Sequence, residues 1–390
     1  MAVEQTSTRG SGRQGVRRRP LRLAFAGGGT GGHIVPGLHL LDHVEAGELG
    51  DLLWFHSGRR VEERVMAGLE ERLAPVPFEK LALAIEPDGG GAPSFPRIAM
   101  RLSPEVRRAR AVLRAHRSDV LLGLGGFTAA PAVLAARSLG VPACLLEINA
   151  VPGKATRYLA RFCKKVFHAW PATVPRERSA RREGRHVHCG PPLAPGFSPS
   201  FGGSQESRRL KREFGFDDAR PLLLVLGGSQ GAKALNAFVR GHAATLLGAG
   251  VQVLHQVGPG RSFEGAGELT GYRALEYVHD VPAALVAADL VLCRGGASTL
   301  AEIAAVGTPA WVVPYPHHKD RHQRANAEQL GAGVRIVDES ELGLRTRDEL
   351  VHAAGPRGEA ERRAMRDALL EAVPTDAAPR IWKALVGLAG

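Results

Sequence analysis

Leu21-Arg-Leu-Ala-Phe-Ala-Gly-Gly-Gly-Thr-Gly-Gly-His33 is the stretch that decides the fold. Leu21 to Ala26 is a short apolar run of the kind that fills a buried strand. Gly27 to Gly32 then reads as a turn, because glycine tolerates backbone angles closed to other residues. From Pro36 to about Glu45 the pattern becomes helical. A buried strand that ends in a glycine turn and feeds a helix is the opening unit of a doubly wound α/β sheet. The same grammar restarts at Pro221-Leu-Leu-Leu-Val-Leu226, followed by Gly227-Gly-Ser-Gln-Gly231 and a helix from Ala232. Between and after these openings, strands are expected at 51–56, 120–124, 142–147, 251–256, 290–293 and 310–313. Helices are expected at 59–69, 104–116 and 128–139. Such alternation predicts parallel sheets covered on both faces. Each half also carries a later glycine pair, Gly125-Gly126 and Gly295-Gly296, followed by a helix and a G-x-P step into a strand. The expected fold class is α/β, with two doubly wound parallel-sheet domains facing one cleft.

The chain has 390 residues, which suits two domains, and 44% of them are hydrophobic, enough for two cores. The Pro-, Gly- and Ser-rich stretch from Cys189 to Gly203 is expected to be the linker. This gives a basic tail at 1–20, a first domain at 21–193 and a second at 194–375. The four cysteines form no C-x-x-C pair, which fits a reducing compartment without a disulfide framework. No apolar run is long enough to span a membrane, and the polar N-terminus is not expected to be a secretory signal.

The formal net charge of +12 is unevenly placed. Residues 1–194 hold 29 Lys and Arg against 17 Asp and Glu; the remainder holds 22 against 22. A basic first half points either to an anionic surface or to plain arginine-rich composition. Arg101 to Arg117 reads as a basic amphipathic helix, and 154–185 adds ten basic residues against two acidic ones. An anionic lipid surface suits these segments. Aromatic residues make up only 5%, too few for base-stacking platforms, and no nucleic-acid partner is expected.

Gly27, Gly29 and Gly32 satisfy G-x-G-x-x-G, but no acid ends the second strand at His56-Ser57, so a dinucleotide cofactor is not expected. The loop and the following helix suit a diphosphate. His33 at its mouth reads as a base, a sugar contact or a packed helix-start residue. Ser229 in the second glycine turn reads either as a donor to a phosphate or hydroxyl, or as a cap. Arg294-Gly-Gly-Ala-Ser298-Thr299-Leu-Ala-Glu302 repeats the anion-binding logic. Glu302 suits two vicinal ribose hydroxyls, or else a capping box. In His317-His-Lys-Asp-Arg-His322-Gln323-Arg-Ala-Asn326, the spacing matches no standard metal motif, so no metal is expected. Gln323 and Asn326 suit sugar hydroxyls.

Together these turns resemble the MurG family, the bacterial UDP-N-acetylglucosamine:lipid I N-acetylglucosaminyltransferases. The strings that carry the resemblance are GGGTGGHIVPGL, GLGGFTAAPAVLAA, Glu147-Ile-Asn149-Ala-Val-Pro-Gly153, GGSQGAKALN, RGGASTLAEIAAVGTPA and the HKDRHQ run. The resemblance implies the GT-B arrangement, with UDP-GlcNAc on the second domain and an undecaprenyl-diphosphate-linked acceptor meeting the first. It implies that a last helix at about 376–390 packs back on the first domain. It also implies donor contacts from Thr30, Gly31, Gly32, Asn149 and Ser229, with the uracil read by the backbone of Val278. Ala297, Ser298, Thr299, Leu300, Ala301 and Glu302 would form the helix start at the phosphates and ribose, and Gln323 would hold the GlcNAc hydroxyls. The implied reaction is inverting transfer of GlcNAc to the C4 hydroxyl of MurNAc. His33 is the first choice of base and Glu147 the second, with no cofactor. The implied location is the cytoplasmic face of the inner membrane, peripherally held. Two departures stand out. Leu146 and Ile148 replace a family His and Gln, and Ala194 replaces a donor-binding Arg. Arg294 or Lys319 is then expected to serve the diphosphate. A different acceptor, or a silent UDP-sugar-binding protein, are the competing readings.

Overall fold

The computed structural model describes residues 19–85, 95–175, 184–197, 204–228, 231–261, 269–317 and 320–390. Most of the expected tail, the end of the expected linker, and Ser229 and Lys319 therefore lie outside the described residues.

The described residues form two parallel sheets. The first contains β1 (Leu21–Gly27), β2 (Leu49–His56), β3 (Phe78–Ala82), β4 (Val120–Gly125), β5 (Ala143–Glu147), β6 (Lys165–His168) and β7 (His186–His188), in the order β3-β2-β1-β4-β5-β6-β7. The second contains β8 (Leu222–Leu226), β9 (Gln252–Gln256), β10 (Tyr272–Leu275), β11 (Leu290–Cys293), β12 (Ala310–Val312) and β13 (Val334–Ile336), in the order β10-β9-β8-β11-β12-β13. The helices are α1 (Val35–Leu41), α2 (Arg60–Val65), α3 (Leu69–Leu73), α4 (Phe95–His116), α5 (Ala129–Leu139), α6 (Lys154–Leu159), α7 (Ser204–Glu213), α8 (Lys233–Gly248), α9 (Val281–Ala287), α10 (Ala297–Val306), α11 (His322–Glu328), α12 (Leu344–Ala354), α13 (Glu359–Ala372) and α14 (Ala377–Ala389).

The central strands are apolar because helices cover both faces. All five residues of β8 are buried, as are all five of β5. Phe25 and Trp54 meet edge to face with ring centroids 4.8 Å apart. The Trp54 indole donates to the Gly27 carbonyl at 3.0 Å and so ties the end of β1 to its neighbour. Helix α1 lies close against this layer at Gly37, where a Cβ would come within 2.7 Å of Leu124 and 2.8 Å of Trp54.

Two helix expectations are corrected. The span 59–69 is two short helices, because Gly68 takes a left-handed conformation (φ 73°) at the start of α3. Helix α4 begins at Phe95 and carries Pro104 inside it, where a start had been expected. Beyond the proline, Ala109 and Leu113 of that helix are buried in the core.

Strand order reverses between β1 and β4 in the first sheet and between β8 and β11 in the second. Crevices beyond the carboxyl ends of strands at such switch points are where ligands bind in open α/β sheets. All four glycine turns lie there. The chain crosses from the first sheet to the second after β7, and α14 returns to pack on α1. Trp382 Nε1 donates to Glu48 at 2.7 Å, and Arg380 donates to the His188 carbonyl at 3.2 Å. The two crossings touch. Gly190 has φ 85°, and a Cβ there would lie 3.1 Å from Pro374. The outgoing crossing is also gripped from α1, by His39 at the Pro192 carbonyl (3.2 Å) and His43 at the Leu193 carbonyl (2.6 Å).

Candidate active site

The underside of the first glycine loop is occupied, and the N–H of Gly29 is engaged there. The Glu62 carboxylate, wholly buried, fills its underside. It accepts from the backbone N–H of Gly29, of Ser57 (3.0 and 3.1 Å), of Gly58 (2.8 Å) and of Arg59 (3.0 Å), and from the Ser57 hydroxyl at 2.6 Å. Burial opposes its charge. The hydrogen bonds from His56, Ser57 and Gly29 outweigh burial and hold its pKa down at about 2. A side chain at Gly28 would collide with this carboxylate. The acid missing from the end of β2 therefore reaches the loop from α2, where it locks the backbone.

His33 closes the turn Gly31–His33. Its Nδ1 lies 3.0 Å from the Gly28 carbonyl and 3.4 Å from Thr30 Oγ1. A carbonyl only accepts, so Nδ1 carries the proton and the lone pair of the neutral ring sits on Nε2. The ring lies against the second glycine turn. A Cβ on Gly125 (φ 110°) would stand 2.7 Å from the imidazole, and one on Gly126 (φ 76°) 3.2 Å from Nδ1. Burial lowers the His33 pKa; the Gly28 bond and the charge of Glu147 partly offset this, and His322 opposes them. The ring is neutral near pH 7, as a general base must be.

Glu147 ends β5. Its Oε1 accepts from the Asn149 N–H at 3.0 Å. Its Oε2 accepts from the Gly153 N–H at 2.8 Å and the Thr156 hydroxyl at 2.5 Å. The carboxylate braces its own loop. Asn149 in that loop meets the second sheet through Asn326 of α11. Asn326 Nδ2 donates to Asn149 Oδ1 (3.3 Å) and to the Gly295 carbonyl (3.1 Å), and its Oδ1 accepts from the Ala150 N–H (2.7 Å). One turn away, Gln323 Oε1 accepts from Tyr315 N–H (2.9 Å) and Gly295 N–H (3.3 Å). This leaves the Gln323 NH2 group as a donor to the cleft.

Across the cleft, α10 starts at Ala297 after Gly296, which has no side chain to cap it. The Ser298 hydroxyl is buried and has no hydrogen-bond partner among the described residues. Glu302 is buried, and burial pushes its pKa up to about 8. His39 Nε2 of the first domain lies 3.9 Å from it. Gln256 donates to the Gly228 carbonyl (2.9 Å) and accepts from Val278 N–H (3.4 Å), joining the second glycine turn to the Val278 segment.

Family models and curated relatives place the chain in one family. A model described as the glycosyltransferase family 28 N-terminal domain matches residues 23–168, and one described as the family's C-terminal domain matches 222–363. The chain belongs to glycosyltransferase family 28. A relative from Sorangium cellulosum (strain So ce56), named UDP-N-acetylglucosamine--N-acetylmuramyl-(pentapeptide) pyrophosphoryl-undecaprenol N-acetylglucosamine transferase, is 36% identical over 385 residues. The match covers 94% of this chain and 88% of that protein. A relative of the same name from Frankia casuarinae is 37% identical over 333 residues, covering 82% of this chain and 83% of its own. The crystal structure of Acinetobacter baumannii MurG is similar in fold, with a TM-score of 0.66 at 23% identity over 93% of this chain and 98% of that one. CalG4, the calicheamicin glycosyltransferase, is similar at 0.64 and 17% identity over 95% and 99%. The fold of this family 28 chain is GT-B.

Within this family 28 cleft, several residues named from sequence come together. His33 and Thr30 share one turn, and Asn149 and Gln323 are linked through Asn326. Ala297, Ser298, Thr299, Leu300, Ala301 and Glu302 form the first turns of α10, beyond the end of β11. Other expectations are corrected. Asn326 is wholly buried with its amide engaged, so it ties the walls together and does not face a sugar. Glu302 forms no capping box, because Gly296 starts the helix and the carboxyl turns toward His39. Arg294 is taken up by Glu339 (2.5 Å) and the Val313 carbonyl (3.0 Å), so it is not poised for the diphosphate. Leu146 and Ile148 are both buried in the core, so this departure from the family does not alter the cleft surface. Sequence reading missed Glu62, His39 and Gln256. Of these only Glu62 left a local signal, lying three residues after Arg59 at the start of α2, the spacing of a capping box.

Proposed function

We propose that this glycosyltransferase moves N-acetylglucosamine from UDP-GlcNAc to the C4 hydroxyl of MurNAc in undecaprenyl-diphospho-MurNAc-pentapeptide. The observation that carries the reading is the fixed orientation of His33, whose protonated Nδ1 is held by Gly28 while Nε2 keeps its lone pair. In this scheme Nε2 takes the proton of the C4 hydroxyl as its oxygen attacks C1 of GlcNAc. The bond from C1 to the UDP oxygen breaks, UDP leaves with the electron pair, and inversion yields a β-1,4 linkage. The start of α10 and the Ser298 hydroxyl would stabilise the charge on the departing diphosphate. Glu302 would hold the ribose hydroxyls, Val278 the uracil, and the Gln323 amide the GlcNAc hydroxyls. Glu147, with both oxygens engaged, is better suited to positioning Asn149 than to taking a proton. The names and coverage of the relatives support both donor and acceptor.

The acceptor lipid would bring the protein to a membrane. Among the described residues no helix is long and apolar enough to cross one. Arg107, Arg108 and Arg114 on the exposed side of α4 would instead hold an anionic leaflet peripherally. Release of UDP from UDP-GlcNAc, followed with and without a soluble lipid I analogue, tests the reaction. Acceptor-dependent release with a disaccharide product is expected; release that ignores the acceptor would overturn it.

A further inference from the structure

A cavity of about 530 Å3 opens beside Thr30, walled by Arg59, Arg60, Val61 and Arg64 of the first domain and by Pro259 of the second. Three arginines line one concavity, and Arg60 and Arg64 stand one helical turn apart. All three arginines are exposed. Among the described residues no carboxylate pairs with Arg60 or Arg64. Like charges gathered in a cleft repel one another and create a local potential that an anion relieves. The cavity is built firmly. Glu62, on the same short helix, holds the backbone of Gly29, Ser57, Gly58 and Arg59, and Arg59 Nη1 donates to the Gly29 carbonyl at 3.1 Å. The arginine face is therefore fixed relative to Thr30 and His33.

We propose that this cavity is a subsite for the carboxylates on the peptide arm of the acceptor, an inference that rests on the reaction proposed above. At this wall Glu62 already engages the backbone N–H groups of Gly29 and Arg59. The Arg60 and Arg64 guanidinium forks match carboxylates in a bidentate manner, and they stand beside the apolar surfaces of Val61 and Pro259. Muramic acid carries its peptide on C3, next to the reacting C4 oxygen. A peptide leaving the sugar at His33 thus starts beside Thr30, and five extended residues reach about 17 Å. One wall belongs to the second domain, so the subsite is complete only when the two domains face each other. It selects an acidic peptide at the moment the cleft is assembled.

The test uses the full chain, UDP-GlcNAc and two soluble short-chain lipid I analogues, one with free peptide carboxylates and one with every carboxylate amidated. For the double variant Arg60→Gln/Arg64→Gln, KM for the free-carboxylate acceptor should rise about tenfold, with kcat within about twofold and KM for UDP-GlcNAc unchanged. Wild-type protein should show the same raised KM for the amidated acceptor, and the substitutions should add nothing further. An equal loss on both acceptors would assign the arginines to the diphosphate and overturn the peptide subsite. No loss on either would overturn it as well. Failure of the wild-type chain to use any analogue would overturn the proposed reaction, and the subsite with it.

Discussion

The imidazole of His33 occupies the space that a side chain at Gly125 would need, with a Cβ there only 2.7 Å from the ring. The two glycine turns of the first domain are therefore one device, in which the second is kept bare so that the first can seat its histidine. Gly125→Ala should displace the ring and strain a backbone at φ 110°. We expect kcat to fall about 100-fold or more while UDP-GlcNAc affinity stays within about threefold, measured by steady-state kinetics and nucleotide titration.

His33→Ala should lower kcat by about 10²–10⁴-fold with donor binding retained. Near-normal turnover would remove His33 as the base.

Glu62→Gln should destabilise the protein by about 2–3 kcal/mol at pH 7, since one amide oxygen replaces a carboxylate that accepts from four backbone N–H groups. Its folded pKa of about 2 lies below the ordinary 4.5. The stabilisation is present above pH 4.5 and is lost as pH falls toward 2. Urea unfolding between pH 2 and 7 should show this acid limb in the wild type and a flatter one in the variant.

Glu302 behaves in the opposite way. Its folded pKa of about 8 exceeds the ordinary 4.5, so the folded state binds the proton more tightly. Its contribution is full below pH 4.5 and is lost as pH rises through 8. Glu302→Gln should flatten the decline in Tm over this window while weakening UDP-GlcNAc binding. An unchanged pH profile would show that the carboxyl is not held protonated.

Asn326→Asp replaces a donor to Asn149 and Gly295 with a second acceptor. We expect kcat/KM to fall about tenfold or more through misplacement of Asn149 and Gln323. A variant that loses stability but keeps kcat/KM would reduce Asn326 to a packing role.

Both sheets could be read from the chain because parallel strands are apolar on both faces, as 221–226 and 21–26 show. The positions of the glycine turns followed from the same logic. The split of 59–69 at Gly68 could not be read, because a single glycine is tolerated within helices as readily as it breaks them. Within the site, His33, Asn149 and Gln323 were marked by polar residues placed just after buried strands. The partners that orient them were not. Asn326 meets Ala150 across 176 positions, and His39 meets Glu302 only through the docking of two domains. No local pattern encodes such pairs. Arg294 looked like a free cation for the same reason, since Glu339 comes from a distant turn.

The contact of Gly190 with Pro374 brings together the only two covalent crossings between the sheets among the described residues. Both connections between the halves therefore share one point of support, and a shift in either is felt by the other. With no Cβ at 190, the two crossings can sit flush. A Cβ at 190 would stand 3.1 Å from Pro374 on a backbone at φ 85°, so it would strain the turn and press on the second crossing. The join between the two halves is thus set by the fit of one bare backbone position against a proline ring.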